Sequence, residues 1–236
     1  TQVSLLSRKY SWQQEGSGRV MNLNSDLMTS FINLLPFQLT HGQQKALSEI
    51  SHDMSGGRPM SRLLQGEVGS GKTVVAAAAM LLAVVNGYVA AMMAPTEILA
   101  EQHFSSISNL LSGLARPVQE PHLISVYLEH MDKPVSIGLL TGSSRAPIKR
   151  ELTKMAADGT LDILVGTQAL IQEGISLPKL ALAVADEQHR FGVMQRSALQ
   201  NRGQENPPTL IMSYPKLPRK LSMPLFRALD ISTNDA

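Results

Sequence analysis

A doubly wound α/β domain with a mainly parallel sheet is predicted by two features of this 236-residue sequence. Short apolar runs alternate with helical patterns from Leu63 onward, and one of these alternations carries a glycine-rich loop between its strand and its helix. The runs RLLQG, YVAAMMA, VSIGLL, LDILVG, LALAVADE and TLIMS read as strands, several of them apolar throughout. Strands covered on both faces have that appearance, and the segments between them are long enough for crossover helices.

The first alternation is the most informative. Arg62 to Gln65 reads as a strand and Thr73 to Val85 as a long helix, with Gly66, Glu67, Val68, Gly69, Ser70, Gly71, Lys72 and Thr73 forming or following the turn between them. The spacing Gly66-x-x-x-x-Gly71-Lys72-Thr73 is that of a phosphate-binding P-loop. Its glycines let backbone N–H groups turn toward phosphate oxygens, Lys72 reaches the terminal phosphates, and Thr73 offers a hydroxyl to Mg²⁺. The helix that follows points its positive dipole end at the same place. A nucleoside triphosphate is therefore the first candidate ligand, against the plainer reading of a glycine-rich turn before a buried helix.

Later units carry their own end signals. Ser144 is suited to cap a helix with Pro147 in its first turn, and Gly159 is placed to end it before LDILVG begins. Residues 113–134, with Pro117, Pro121 and Pro134, break the rhythm and read as an insertion or long surface loop. Residues 1–35 fit none of the α/β units and read as a linker or the remnant of a preceding domain, which leaves 36–236 as the nucleotide-binding domain.

Composition narrows the class. The chain is 43% hydrophobic and 17% charged with a net charge of +2, as in an ordinary globular protein, so charge alone does not argue for a polyanionic partner. The absence of cysteine excludes disulfides and thiolate metal sites. The apolar run Val74 to Val85 is shorter than the roughly 20 residues that cross a bilayer, and the first residues lack the apolar core of a signal peptide, so no membrane association and a cytoplasmic location are expected.

The strand LALAVADE ends in Asp186 and Glu187. An aspartate at the end of a buried strand suits Mg²⁺ in a P-loop enzyme, and a neighbouring glutamate suits polarisation of the attacking water. Without the P-loop, a solvated strand end would be the better reading of the same two residues.

The segments LPFQLTHGQQKALSEI, GEVGSGKT, APTEILAEQH, LLTGSS, GTQALIQ and DEQHRFGV occur in the order and wording of the first helicase domain of RecG-type ATP-dependent DNA helicases of superfamily 2. The resemblance covers residues 34 to 230 and implies a RecA-like P-loop domain, ATP and Mg²⁺ as cofactors, and DNA as partner. It implies that Gln43 recognises adenine, with Phe37 near the base, and that Lys72, Thr73, Asp186 and Glu187 take the phosphate, metal and water roles derived above. It implies that Thr96, Gly142, Thr167 and Gln168 meet the sugar–phosphate backbone, a sequence-independent contact that a translocating motor needs. His189 and Arg190 are implied to couple the two sites. For each of these backbone contacts taken singly, a Thr cap or turn glycine is an equal reading. Arg145, Lys149, Arg150 and Lys154 lie on one helix, where a solvated charged face is a better reading than a DNA patch.

One segment departs from the family. Where such helicases read SATPIPRTL, this chain has Ser213-Tyr214-Pro215-Lys216-Leu217-Pro218-Arg219-Lys220-Leu221. Pro215 has neither the hydroxyl nor the N–H of the threonine it replaces, so the hydrogen bonding that the resemblance implies there cannot form in the same way. The resemblance further implies a second motor domain, whose arginines are worth on the order of 10³–10⁵ in rate, and an N-terminal domain that recognises branched or forked DNA. The expectation is a monomeric fragment that binds ATP but does not unwind DNA unaided. The alternatives are a nucleotide-dependent interaction module without productive turnover and, with least support, a small-molecule P-loop kinase.

Overall fold

The computed structural model describes residues 20–23, 25–57, 60–112, 118–128, 131–172, 175–187, 207–213 and 230–234. Two helices come first, α1 (Ser25–Leu34) and α2 (His41–Ser55). Then β1 (Ser61–Gln65), α3 (Lys72–Val85), β2 (Val89–Met93) and α4 (Glu97–Ser112) form the first winding. They are followed by β3 (Val118–Glu120), β4 (Leu123–Val126), β5 (Val135–Leu140), α5 (Ala146–Asp158), β6 (Ile163–Gly166), α6 (Ala169–Gln172), β7 (Leu180–Glu187), β8 (Thr209–Ser213) and β9 (Asp230–Thr233).

The strands make one nine-stranded sheet in the order β3-β4-β5-β6-β2-β7-β8-β1-β9. All neighbours from β5 to β9 run parallel, and β3 and β4 are antiparallel. Alternation along β2 shows why the fold is doubly wound. Ala90 and Met92 enter the core on one face, with α3 and α4, whereas Val89, Ala91 and Met93 enter the core on the other, with Leu152 and Ala156 of α5. A strand buried on both sides has no polar face, so its five residues VAAMM are all apolar and all buried.

The helices match this burial. α4 buries Ala100, Phe104, Ile107 and Leu111, one stripe at helical spacing. α3 is buried without interruption from Val74 to Val84, because α1, α2 and α4 pack around it while it lies on the sheet. Its small residues Ala76–Ala79 let those neighbours approach on every side.

Three expectations need correction. The surface-loop reading of 113–134 gives way in part to a hairpin, since β3 and β4 pair and join the sheet through β5; the insertion reading is untouched by this. The stretch 1–35 is not all linker, because α1 packs onto the domain with Phe31 only 1% exposed and Met21 buried beside it. Ser144 does not cap α5. Arg145 takes the N-cap position without a side-chain bond, and the Ser144 hydroxyl accepts from the Thr141 N–H at 2.9 Å instead. Pro147 does lie in the first turn, and Gly159 ends the helix with φ of 72°, where a side chain would be strained.

β9, which no periodicity announces, pairs with β1 and is tied down by a polar network. Arg62 on β1 bonds Glu49 and Asp53 of α2 and the Ser232 hydroxyl of β9, and Ser232 also donates to Glu49. A largely buried guanidinium needs such partners, because an unpaired charge there is costly.

Candidate nucleotide site and strand-end loops

The C-terminal ends of parallel strands line one edge of the sheet, the edge at which open α/β sheets bind ligands. β1 delivers the loop Gly66–Gly71 to that edge and α3 begins immediately after it. Gly71 has φ of 83°, and a Cβ there would lie 2.4 Å from the Gln43 amide nitrogen. A Cβ on Gly66 would meet the Ser70 hydroxyl at 2.5 Å and the Asn234 carbonyl at 2.7 Å. Both positions therefore require glycine for space, and Gly71 also for conformation.

The loop is held from beneath and open above. Ser70 is buried, and its carbonyl accepts from Gln43 Nε2 at 2.8 Å and from Asn234 Nδ2 at 2.9 Å. Glu67, Val68 and Gly69 are exposed. Lys72 Nζ donates to the Gly66 and Glu67 carbonyls, each at 2.8 Å, so the loop folds around its own lysine. Partial burial lowers the Lys72 pKa from its ordinary value, and the negative charge of Asp186 opposes that shift. The parallel order β7-β8-β1 brings the P-loop and the carboxylate near the end of β7 to one edge of the sheet.

Gln43 occupies a more constrained place than its sequence context suggests. Its Oε1 accepts from the Thr40 N–H at 2.9 Å while its own N–H donates to the Thr40 hydroxyl, a reciprocal cap that starts α2. With Nε2 on Ser70, the amide joins the α2 N-terminus to the P-loop. Phe37 is 46% exposed and lines a cleft of about 550 Å³ with Leu34, Pro36, Gly71, Thr73 and Leu110. An apolar cleft that opens onto Gly71 and Thr73 is suited to a flat aromatic base whose phosphates point at the loop.

Asp186, the penultimate residue of β7, lies in register with Met212 and is 8% exposed. His103 Nε2 on α4 lies 2.7 Å from Asp186 Oδ2. Among the described residues there is no group of three or more His, Cys, Asp or Glu side chains that could hold a metal. A single buried carboxylate, Asp186, at the edge that carries the P-loop fits Mg²⁺, which is commonly held by one or two carboxylates together with substrate phosphates. Thr73 and Asp186 are the residues that would hold it. Glu187 is the last residue of β7, opposite Ser213; His189 and Arg190, and the departure at Tyr214–Lys216, lie outside the described residues.

The other expected site residues stand at the ends of β2, β5 and β6, which are neighbours in the sheet order β5-β6-β2. Thr96 is exposed, and its hydroxyl accepts from the Leu99 N–H at the start of α4. Gly142 is exposed beside Ser143, whose N–H and hydroxyl donate to the two oxygens of Glu97 at 2.9 and 2.7 Å. These bonds, led by the hydroxyl, lower the Glu97 pKa below its ordinary value. Thr167 differs from its expected role. It is 8% exposed and its hydroxyl accepts from the Ala169 N–H, so it closes the turn into α6 and leaves Gln168 as the exposed member of the pair.

Three contributors were not singled out in the sequence. Ser143 lies inside the LLTGSS segment, so its neighbourhood was marked; His103 and Asn234 are single polar residues whose partners come from distant segments.

A P-loop joined to a strand-end carboxylate, on this sheet order, defines the class of RecA-like nucleotide-dependent motor domains. The chain belongs to the DEAD/DEAH box helicase family, which it matches over residues 40–213. It is 44% identical to the ATP-dependent DNA helicase RecG of Streptococcus pneumoniae over 99% of its own length and 32% of that protein. It is also 44% identical to RecG of Bacillus subtilis, over 97% of this chain and 30% of the relative. Among solved structures it is similar to RecG bound to a three-way DNA junction, with a TM-score of 0.77 and 33% identity over 99% of this chain and 28% of that one. The chain thus spans about a third of the length of the curated relatives it matches.

Proposed function

We propose that this chain is the first motor domain of an ATP-dependent DNA helicase or translocase that acts on branched DNA in recombination and repair. The observation that carries the reading is the delivery of the P-loop by β1 and of Asp186 by β7 to one edge of the sheet, either side of β8, beside an apolar cleft and a row of exposed strand-end loops. The branched substrate follows from the similarity to RecG, one solved example of which is bound to a three-way junction.

In this reading the adenine enters the cleft beside Phe37, and Gln43 contributes by fixing the Ser70 carbonyl and by the remaining N–H of its amide. Lys72 exchanges the Gly66 and Glu67 carbonyls for phosphate oxygens, which releases the loop tip to wrap the phosphates. Thr73 and Asp186 would hold Mg²⁺, which would supply neutralisation of phosphate charge, and Glu187 would polarise the attacking water. Thr96, Gly142 and Gln168 hold a single strand by its backbone, with Thr167 shaping the loop that presents Gln168. Coupling through His189 and Arg190, a second motor domain, an N-terminal junction-recognising domain, a monomeric state and a cytoplasmic location complete the proposal. By itself the chain binds ATP and does not unwind DNA.

Calorimetric titration of Mg–ATP, beside Lys72→Ala and Gln43→Ala and with GTP as competitor, tests the nucleotide site. Binding abolished by Lys72→Ala and made less adenine-selective by Gln43→Ala supports it; equal binding of ATP and GTP by the unsubstituted chain removes the assigned role of Gln43. A second reading, a nucleotide-dependent interaction module without turnover, is favoured by Tyr214-Pro215-Lys216 in the coupling segment. DNA affinity that depends on nucleotide, without hydrolysis even when a second motor domain is supplied, would select it.

A further inference from the structure

Asp186 is oriented by a partner outside its own segment. His103 and Asp186 meet at 2.7 Å with side chains only 12% and 11% exposed, so the contact is shielded from water on both sides. A carboxylate can only accept, so the imidazole donates from Nε2 and restricts the rotation of the carboxylate. His103 stands about two helical turns along α4 from Thr96 and Glu97. At that end, Glu97 grips Ser143 through both carboxylate oxygens, next to Gly142. One helix therefore joins the carboxylate of the nucleotide site to two of the strand-end loops.

We propose that His103 is a positioning residue for Asp186, and that α4 transmits the presence of a nucleic-acid strand at Thr96 and Gly142 to that carboxylate through it. The proposal rests on the nucleotide and nucleic-acid reading given above. It assigns no proton transfer to the imidazole. Its physical basis is that a metal-binding carboxylate held by an outer partner keeps its lone pairs aimed, and loss of such a partner commonly weakens metal binding by about 10–100-fold. α4 is buried along one stripe between the sheet and α3, so movement at its first turn is transmitted as rigid displacement more readily than absorbed by bending.

The experiment is a Mg²⁺ titration of ATP binding by the full chain, the His103→Ala, His103→Gln and Glu97→Gln variants, with and without a deoxythymidine oligonucleotide. Urea unfolding of each nucleotide-free protein runs alongside. The expected result is a half-saturating Mg²⁺ concentration raised on the order of 10-fold in His103→Ala. In His103→Gln, whose amide N–H reaches toward the same oxygen, most of that loss is recovered. The oligonucleotide is expected to shift the Mg²⁺ midpoint of the unsubstituted chain, less so in Glu97→Gln, and not at all in His103→Ala.

An unchanged Mg²⁺ midpoint in His103→Ala overturns the proposal while leaving the nucleotide site intact. Equal losses in the alanine and glutamine variants, together with lowered urea midpoints, assign His103 to packing and overturn it as well. An oligonucleotide without effect on the unsubstituted chain removes the connection to the loops. Failure of the unsubstituted chain to bind ATP in Mg²⁺ defeats the underlying reading, and this inference with it.

Discussion

The two ends of the ligand-binding edge are built differently. Around the P-loop the polar groups that set the geometry are buried, with Gln43 at 6%, Asn234 at 1% and Asp186 at 8% exposure. Along the ends of β2, β5 and β6, Thr96, Gly142, Ser143 and Gln168 are exposed, and the Glu97–Ser143 bonds that join two loops lie at the surface. A site for one small charged ligand needs donors fixed before it arrives, and burial fixes them. The proposed contact with a uniform sugar–phosphate backbone would need repeated, replaceable contacts, which exposed loops can supply.

The largest effect that tests this contrast belongs to Lys72→Ala. A hydrogen bond to a charged group is worth about 1.5–3 kcal/mol, so ATP affinity should fall by about 10–100-fold or more, as read by calorimetry. The variant should keep its fold, since Lys72 bonds only loop carbonyls here. A normal ATP affinity would place the phosphates elsewhere.

Gly71→Ala comes next. The left-handed backbone and the 2.4 Å approach to Gln43 should together cost about 1–3 kcal/mol of stability in urea unfolding. An equally stable variant would show that the loop relaxes freely and is not fixed in advance.

Gln43→Ala and Asn234→Ala sharpen the comparison, because both residues hold the same Ser70 carbonyl. Gln43→Ala also removes the side-chain half of the reciprocal cap of α2, while the backbone N–H at position 43 keeps its bond to the Thr40 hydroxyl, so it should cost about 1–2 kcal/mol from the two lost side-chain hydrogen bonds. Asn234→Ala should cost less than about 1 kcal/mol, since Gln43 still satisfies the carbonyl and the variant removes the buried Asn234 Oδ1, which has no hydrogen-bond partner among the described residues. The reverse order would make β9, not α2, the main support of the loop.

The smallest effect concerns the exposed end. The Glu97 pKa is lowered by the Ser143 bonds, so any contribution to stability is present above the unfolded-state value and is lost as pH falls through the lower folded one. The Ser143 amide resonance should therefore keep its bonded shift through the ordinary glutamate range and move only at more acidic pH. Glu97→Gln should remove that step with almost no change in urea midpoint, as befits an exposed carboxylate.

Much of the central domain was legible in the sequence. Apolar runs such as VAAMM and LALAVADE announce strands because burial on both faces removes polar positions, and structure forms at each. The strand–loop–helix at Gly66–Thr73 was legible because its glycines answer local demands of space and φ. The β3–β4 hairpin was not, since three prolines concealed two strands whose stability comes from pairing with β5. Ser144 was a plausible cap by residue type, but the turn at Thr141 took its hydroxyl first.

By itself the sequence determined the P-loop and the central strands, because each shows in a pattern a few residues long, while the carboxylate pair at the end of β7 gained its meaning only from the P-loop far upstream. Only the tertiary structure decided that β9 lies beside β1, that Asn234 and Gln43 share one carbonyl, and that His103 faces Asp186 across 83 residues of chain. Such pairs are set by how helices pack on the sheet, and local periodicity records which face of a helix is buried but not which distant side chain it will meet.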